Sequence, residues 1–158
     1  MIPKISRGSD PAGLVKYLFG KGRHNEHANQ HLVACSDDLL DSFGFDGHPD
    51  ESYAKIGERF DRRYRIRERK GDPFPRDRRG RLNPGGEHGK DRVWHCSLSI
   101  KAGQGILTDG QWEAIVRDYL ERMGILDGDA PAGVTWLAVH HGLSRNGNDH
   151  VHVMVQLA

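Results

Sequence analysis

The chain has 158 residues and a mass of 17.7 kDa, which is the size of one domain with a single hydrophobic core. Charged residues make up 28% of it and no apolar run approaches the roughly 20 residues that span a bilayer, which argues against a membrane protein. The opening residues MIPKISRGSD contain no apolar stretch of signal-peptide length, so we expect a cytoplasmic protein. The net charge of +1 neither indicates nor excludes a nucleic-acid partner. Cys35 and Cys96 lack CxxC spacing and are expected to be buried thiols.

The first part of the chain alternates short strands with helices. Its apolar residues follow the two-residue period of strands and the 3.6-residue period of helices in turn, and capping residues with Gly and Pro mark the boundaries. The pattern predicts a strand at Ile2–Ser6, a helix from Ser9-Asp10-Pro11 to Gly20 or Gly22, a strand at His31–Ala34, a short helix after Ser36 and a longer helix from Asp50 through Tyr64.

The second part begins with residues 71–91, which are rich in Gly, Pro, Arg and Asp and are predicted to form a mobile basic loop. A strand at Arg92–Ile100 follows, then a helix capped by Thr108, and then strands at Val134–His141 and His150–Leu157 joined by a Gly-Asn-rich turn. This order predicts one domain over residues 1–158 of the α+β class. We expect a mostly antiparallel sheet of about five strands, with helices on one face and a site on the other.

The positive charge is concentrated in one segment. Between Lys55 and Arg92 there are 14 Lys or Arg residues against 7 Asp or Glu, a local charge of +7. Such an excess can contact nucleic-acid phosphates. Acidic residues are interleaved with the arginines, however, so a solvated helix with internal ion pairs explains the charge pattern equally well.

Two histidines on the last predicted strand project from the same face of the sheet. His150 and His152 are two residues apart, and the valines that alternate with them face the other way. The preceding strand of the hairpin ends in His140-His141, and cross-strand neighbours lie about 5 Å apart. Three imidazoles can therefore converge on one ion, whereas without an ion they would repel one another whenever protonated.

Strand alternation leaves the third ligand open between His140 and His141. If Leu137 and Val139 face the core, His140 faces the site, which is the arrangement we favour; a bulge at the strand end would select His141 instead. Three protein ligands with open positions are typical of a catalytic metal site, and neutral imidazoles suit several divalent metals. His95 on an earlier strand is expected either to support these ligands or to be a core histidine.

These residues resemble the mobilisation relaxases, members of the HUH endonucleases, whose name denotes two metal-binding histidines flanking one hydrophobic residue. His150-Val151-His152 is similar to that motif, and Ala138-Val139-His140 looks like the apolar-apolar-His triplet that precedes it in the family. The family's nucleophilic tyrosine lies on the first helix, in a context similar to Tyr17 in GLVKYLFGKGR. RGSDPAGLVKYLFGKGRHNEHANQHLVA looks like the opening of relaxases from actinobacterial mobile elements, and VWHCSLS with LTDGQWEAIV fits the middle region of the family.

The resemblance implies a metal-dependent, site- and strand-specific endonuclease that nicks single-stranded DNA at an origin of transfer during plasmid mobilisation. Tyr17 would displace a 3′-hydroxyl and remain joined to the DNA 5′ end as a phosphotyrosine. The implied cofactor is a divalent ion (Mn, Mg, Zn or Ni), with ligands drawn from His140, His141, His150 and His152 and with His95 and His27 lining or supporting the site.

The resemblance also implies partners: single-stranded DNA, accessory mobilisation proteins and a coupling ATPase, with no membrane segment. We expect a monomer. Relaxases usually continue beyond the HUH strand, so we expect this chain to be a relaxase domain trimmed at its C-terminal side. Arginines of the basic segment would follow the DNA backbone; they are Arg59, Arg62, Arg63, Arg65, Arg67, Arg69, Arg76, Arg78, Arg79 and Arg81.

Two alternatives stay open on the sequence. Another HUH nuclease, such as a replication initiator or a single-tyrosine transposase, commonly carries its tyrosine on a helix after the histidines. A non-catalytic metal- and DNA-binding module, such as a repressor, would not need Tyr17, which would then be an apolar helix residue packed on the sheet. Replacement of Tyr17 by Phe distinguishes a nuclease from such a module.

Overall fold

Five strands and three α-helices make up the described part of the chain, which covers residues 1–21, 29–71, 91–126 and 133–157 in this computed structural model. All strand pairs are antiparallel. In chain order the elements are β1 (Ile2–Gly8), α1 (Pro11–Phe19), β2 (His31–Cys35), a 3-10 helix (Asp37–Ser42), α2 (Tyr53–Lys70), β3 (Val93–Ser99), α3 (Asp109–Arg122), β4 (Trp136–Leu143) and β5 (Asp149–Gln156). The strands lie in the order β1-β3-β5-β4-β2, which confirms the predicted α+β fold with a five-stranded antiparallel sheet.

The helices begin and end where their capping residues allow. Thr108 caps α3 in a reciprocal arrangement with Gln111, in which each side chain bonds the other residue's backbone N–H. Asp10 caps α1 just before the proline at its first position. The start of α2 at Tyr53 is three residues later than predicted, because Ser52 provides its cap, and Gly71 ends it in the left-handed conformation at φ 65°.

Helices cover both faces of the sheet. Helix α3 packs on one face through Trp112, Val116 and Leu120, whereas α1 and α2 pack on the other. The prediction that helices occupy one face only is therefore wrong. The prediction failed because the sheet has a core on each side. In β4, four consecutive residues from Trp136 to Val139 are all buried, as expected of such a strand.

The two cysteines lie in the two different cores. Cys96 packs with α3 and Cys35 with α1 and α2, and both are buried free thiols, as predicted. Burial raises the pKa of Cys35 to about 11, with a smaller contribution from the nearby Asp38 carboxylate. The predicted loop at residues 71–91 lies almost entirely outside the described residues. Within the described ranges, no helix combines the length and apolar character needed to cross a membrane.

Candidate metal centre

Three histidines converge at one end of the β4–β5 hairpin. His150 and His152 project from β5 on the face that α1 covers, and His141 projects from β4 toward them. The ring centroids of His141 and His152 are 4.2 Å apart, and those of His150 and His152 are 5.2 Å apart. One ligand nitrogen from each of the three rings lies within 4.8 Å of the others.

This arrangement corrects the preference for His140 as the third ligand. Val139 pairs with His152 and lies on the histidine face, so the alternation along β4 turns His140 to the opposite face and His141 toward the cluster. A bulge follows between His140 and Gly142, and Gly142 adopts φ 74°, which a glycine tolerates. The expectation failed because it assumed that the face with Val139 was the only core face.

The donor set fits a transition-metal ion. Ligand nitrogens held at about 2.1 Å from an ion lie roughly 3 to 3.5 Å from one another, so small rotations of these side chains are enough to enclose one. Imidazole nitrogen suits Zn²⁺, Ni²⁺ and related ions, whereas Mg²⁺ prefers oxygen ligands. The mostly buried cluster of His141, His150 and His152 could therefore hold a metal ion.

Hydrogen bonds to neighbouring groups orient two of the three rings. The Nε2 atom of His141 lies 2.8 Å from the backbone carbonyl of Leu18 in α1. A carbonyl only accepts, so Nε2 carries the proton and the neutral ring presents Nδ1 as its ligand nitrogen. His152 Nδ1 lies 2.8 Å from His95 Nε2, which leaves Nε2 as the nitrogen of His152 that could face an ion. His95 thus orients one ring of the cluster, and burial lowers the pKa of His95, which favours its neutral form.

Tyr17 borders the same cluster. Its ring centroid lies 5.9 Å from that of His152 in an edge-to-face arrangement, and 6.4 Å from those of His141 and His95. Val15 and Leu18 anchor α1 in the core with no exposed surface, whereas 44% of Tyr17 is exposed. The helix therefore holds the phenol at a fixed place beside the imidazoles while leaving it accessible from solvent.

His140 and His31 lie together on the other side of the sheet. His140 contacts the carboxylates of Asp149 and Asp109, and His31 contacts Asp109. His31 therefore does not border the site of Tyr17. No sequence pattern pointed to the two aspartates, because Asp149 is typical of a hairpin turn and Asp109 is typical of the first turn of a helix. His27 lies outside the described residues.

The basic residues of α2 line a groove away from the histidines. The groove encloses about 660 Å³ and is lined by Lys55, Arg59, Arg62, Arg65, Ile66 and Arg69 together with Glu51 and Glu58. Some of the charge is compensated, because Arg59 pairs with Glu51 and Arg65 with Asp61. The side-chain amide of Gln156 donates to the carbonyls of Arg59 and Phe60, so this part of α2 lies beside Gln156. Gln156 is four residues, or about 13 Å, along β5 from His152.

The remaining predicted DNA contacts are divided between described and undescribed parts of the chain. Arg63 and Arg67 lie on α2 between the residues that line the groove. The other four predicted positions lie outside the described residues; they are Arg76, Arg78, Arg79 and Arg81.

Comparison with known proteins does not assign the chain to a family. No protein-family model, no curated protein and no solved structure significantly matches it. The resemblance to mobilisation relaxases therefore rests on the residues quoted above, and the activity that it implies stays a prediction.

Proposed function

We propose that this chain is a metal-dependent endonuclease that nicks single-stranded DNA at an origin of transfer through Tyr17, as the resemblance to mobilisation relaxases implies. The observation that carries the proposal is the position of the Tyr17 ring, 5.9 Å from His152 at the edge of a three-imidazole cluster. If Tyr17 only packed α1 against the sheet, we would expect its ring to be buried rather than accessible beside three candidate metal ligands.

The ion would be held by His141, His150 and His152. When bound, such an ion polarises the scissile phosphate and offsets the charge that develops on its non-bridging oxygens. The donor set favours Zn²⁺ or Ni²⁺ over Mg²⁺ among the expected ions. His95 and the Leu18 carbonyl would keep the ligand rings oriented, since outer partners of this kind fix the ring rotation and the tautomer.

The chemistry assigned to Tyr17 is a transesterification. Its hydroxyl oxygen forms a bond to phosphorus while the bond to the 3′ oxygen of the DNA breaks, and the phenol proton is balanced by the proton that the 3′ oxygen gains. One phosphodiester replaces another, so the strand can be rejoined by the reverse step. Rigid attachment of α1 to the sheet supports this role, because in-line attack requires a nucleophile held at a defined angle.

The groove along α2 is the proposed path of the DNA backbone. Its arginines can contact phosphates, and such contacts give affinity that falls with salt rather than sequence choice. Accessory mobilisation proteins, a coupling ATPase and action as a monomer belong to the same proposal.

The test is the formation of a covalent DNA–protein adduct. The chain is incubated with Mn²⁺ and fluorescent single-stranded oligonucleotides that tile the DNA beside its own gene, and products are separated on denaturing gels. We expect an adduct that EDTA abolishes and that Tyr17→Phe eliminates. Tyr53→Phe, on α2 and outside the cluster, is the matched control and should retain adduct formation.

Two outcomes contradict the proposal. An adduct that survives Tyr17→Phe would assign the nucleophile to another residue. Metal and DNA binding without any adduct on the complete tiling set would favour a non-catalytic regulatory module.

A further inference from the structure

A second cluster of candidate ligands lies on the α3 face of the sheet, opposite Tyr17. His31 and His140 are cross-strand partners in β2 and β4, and their ring centroids are 5.5 Å apart. Asp109, the first residue of α3, lies against both rings. One ligand atom from each of the three residues lies within 4.8 Å of the others, so three elements of the fold meet at this point.

The contacts of the His31 ring require either a second proton on the ring or a cation bound next to it. Its Nδ1 atom lies 2.7 Å from the Asn29 carbonyl, which only accepts, so Nδ1 carries a proton. Its Nε2 atom lies 2.8 Å from both carboxylate oxygens of Asp109. In the neutral ring Nε2 is a lone pair that faces another acceptor, and this contact is favourable only if a proton or a metal ion lies between them.

His140 is in the same situation. Its Nε2 atom lies 2.6 Å from Asp149, and its Nδ1 atom lies 3.3 Å from Asp109. The other carboxylate oxygen of Asp149 accepts hydrogen bonds from the Leu107 N–H and the Trp112 indole N–H, so Asp149 acts as an acceptor at this position. Nε2 of His140 is therefore the protonated nitrogen, and Nδ1 faces the Asp109 carboxylate as a lone pair or through a cation.

We propose that His31 Nε2, His140 Nδ1 and the Asp109 carboxylate bind a second divalent transition-metal ion, separate from the ion held by the cluster beside Tyr17. One ion of this class satisfies both lone pairs and the carboxylate at once. Without it, both rings would turn a nitrogen toward the same Asp109 carboxylate, in addition to the Asp149 carboxylate that holds the other nitrogen of His140. The two nitrogen donors and one oxygen donor suit Zn²⁺ and its neighbours in the first row.

The surroundings support a metal ligand role for both histidines. Each ring has its non-ligating nitrogen held by a carbonyl or a carboxylate, which is the arrangement that orients metal-binding imidazoles in proteins. Asp149, which holds His140, has no exposed surface, so this ring is fixed before an ion arrives. The Asp109 side chain is 55% exposed, which leaves a route for the ion and positions for water ligands.

The site would join β2, β4 and the first turn of α3. No residue of this cluster contacts the Tyr17 ring among the ring contacts of the described residues, and the two clusters face opposite sides of the sheet. Its role would therefore be to stabilise the sheet edge and the start of α3. Zinc binding at this cluster does not depend on whether the chain cleaves DNA.

The experiment is a zinc titration of the full chain, stripped with EDTA and dialysed, with bound zinc measured by elemental analysis. We expect two zinc ions per chain in the wild type, one in His31→Gln and one in His150→Gln. Asp109→Asn should weaken the second site by at least about tenfold. Asp46→Asn is the matched control, because it removes an exposed acid beside His48 that belongs to neither cluster.

Circular dichroism of each variant identifies any that fails to fold. Imidazole ¹⁵N shifts of the wild type then give a measurement that needs no variant: zinc should shift Nε2 of His31 and Nδ1 of His140. The proposal is overturned if those two shifts do not respond to zinc, or if His31→Gln and Asp109→Asn bind as much zinc as the wild type. A stoichiometry unaffected by His150→Gln, but reduced by His31→Gln, would support this site and contradict the one beside Tyr17.

Discussion

Replacement of Asp149 by Ala should destabilise the fold more than almost any other single polar substitution in the described chain. Its carboxylate has no exposed surface and accepts three hydrogen bonds: from the Leu107 N–H at 2.8 Å, from the Trp112 indole N–H at 2.9 Å and from His140 Nε2 at 2.6 Å. These bonds attach the segment before α3, the body of α3 and strand β4 to the start of β5. The substitution leaves three donors without this acceptor in an interior that water does not reach.

The expected magnitude follows from those three donors. A buried donor left unsatisfied costs about 1 to 3 kcal/mol, and more when the lost partner was charged. We therefore expect Asp149→Ala to lower the free energy of unfolding by about 3 to 6 kcal/mol, a large part of the roughly 5 to 15 kcal/mol typical of a domain. The melting temperature should fall by roughly 6 to 24 °C. Asp149→Asn keeps one acceptor oxygen and should lose less.

Urea unfolding in EDTA, followed by tryptophan fluorescence and circular dichroism, measures this difference without a contribution from bound metal. Asp118→Ala is the control, because Asp118 makes an exposed ion pair with Arg122 on the surface of α3 and its loss should change stability by no more than about 0.5 kcal/mol. If Asp149→Ala lowered the free energy of unfolding by less than about 1 kcal/mol, the three hydrogen bonds to Asp149 would not be a major source of stability.

Two further predictions concern packing and thiol chemistry. Gly57→Ala should destabilise the chain by about 1 to 3 kcal/mol, because a Cβ at this position would lie 2.7 Å from the backbone nitrogen of Ala12 and force α1 and α2 apart. A Cβ at Gly110 would meet no atom within 4 Å, so the control Gly110→Ala should be neutral or stabilising by up to about 1 kcal/mol. The urea midpoints of the two variants measure the difference. Cys35 should react with a thiol reagent far more slowly in the native state than in denaturant, because burial raises the pKa of its thiol to about 11. The reaction rate of the native chain should keep rising as the pH approaches 11. Rapid reaction of the native chain at roughly pH 8 would refute this prediction.

Local patterns were sufficient to predict the elements. The capping box at Thr108, the proline in the first turn of α1 and the valine alternation in β5 act over a few residues, and most elements lie within a few residues of their predicted bounds. The exception is α2, which continues to Lys70 beyond the last apolar residue of the predicted pattern. The antiparallel sheet followed from the order of strands and the closing hairpin. The pairing of His150 and His152 on one face followed from the two-residue period of a strand, which holds in any sheet.

Only the tertiary structure decided what surrounds each face. Alternation states that Val139 and His141 share a face, but not which face is buried, and in β4 both faces are buried because helices pack on each. The choice of His141 over His140 depends on the pairing of Val139 with His152, which is a contact between strands. Asp109 is 78 residues from His31 along the chain, so no local pattern relates the two; packing of α3 against the sheet brings their side chains to 2.8 Å.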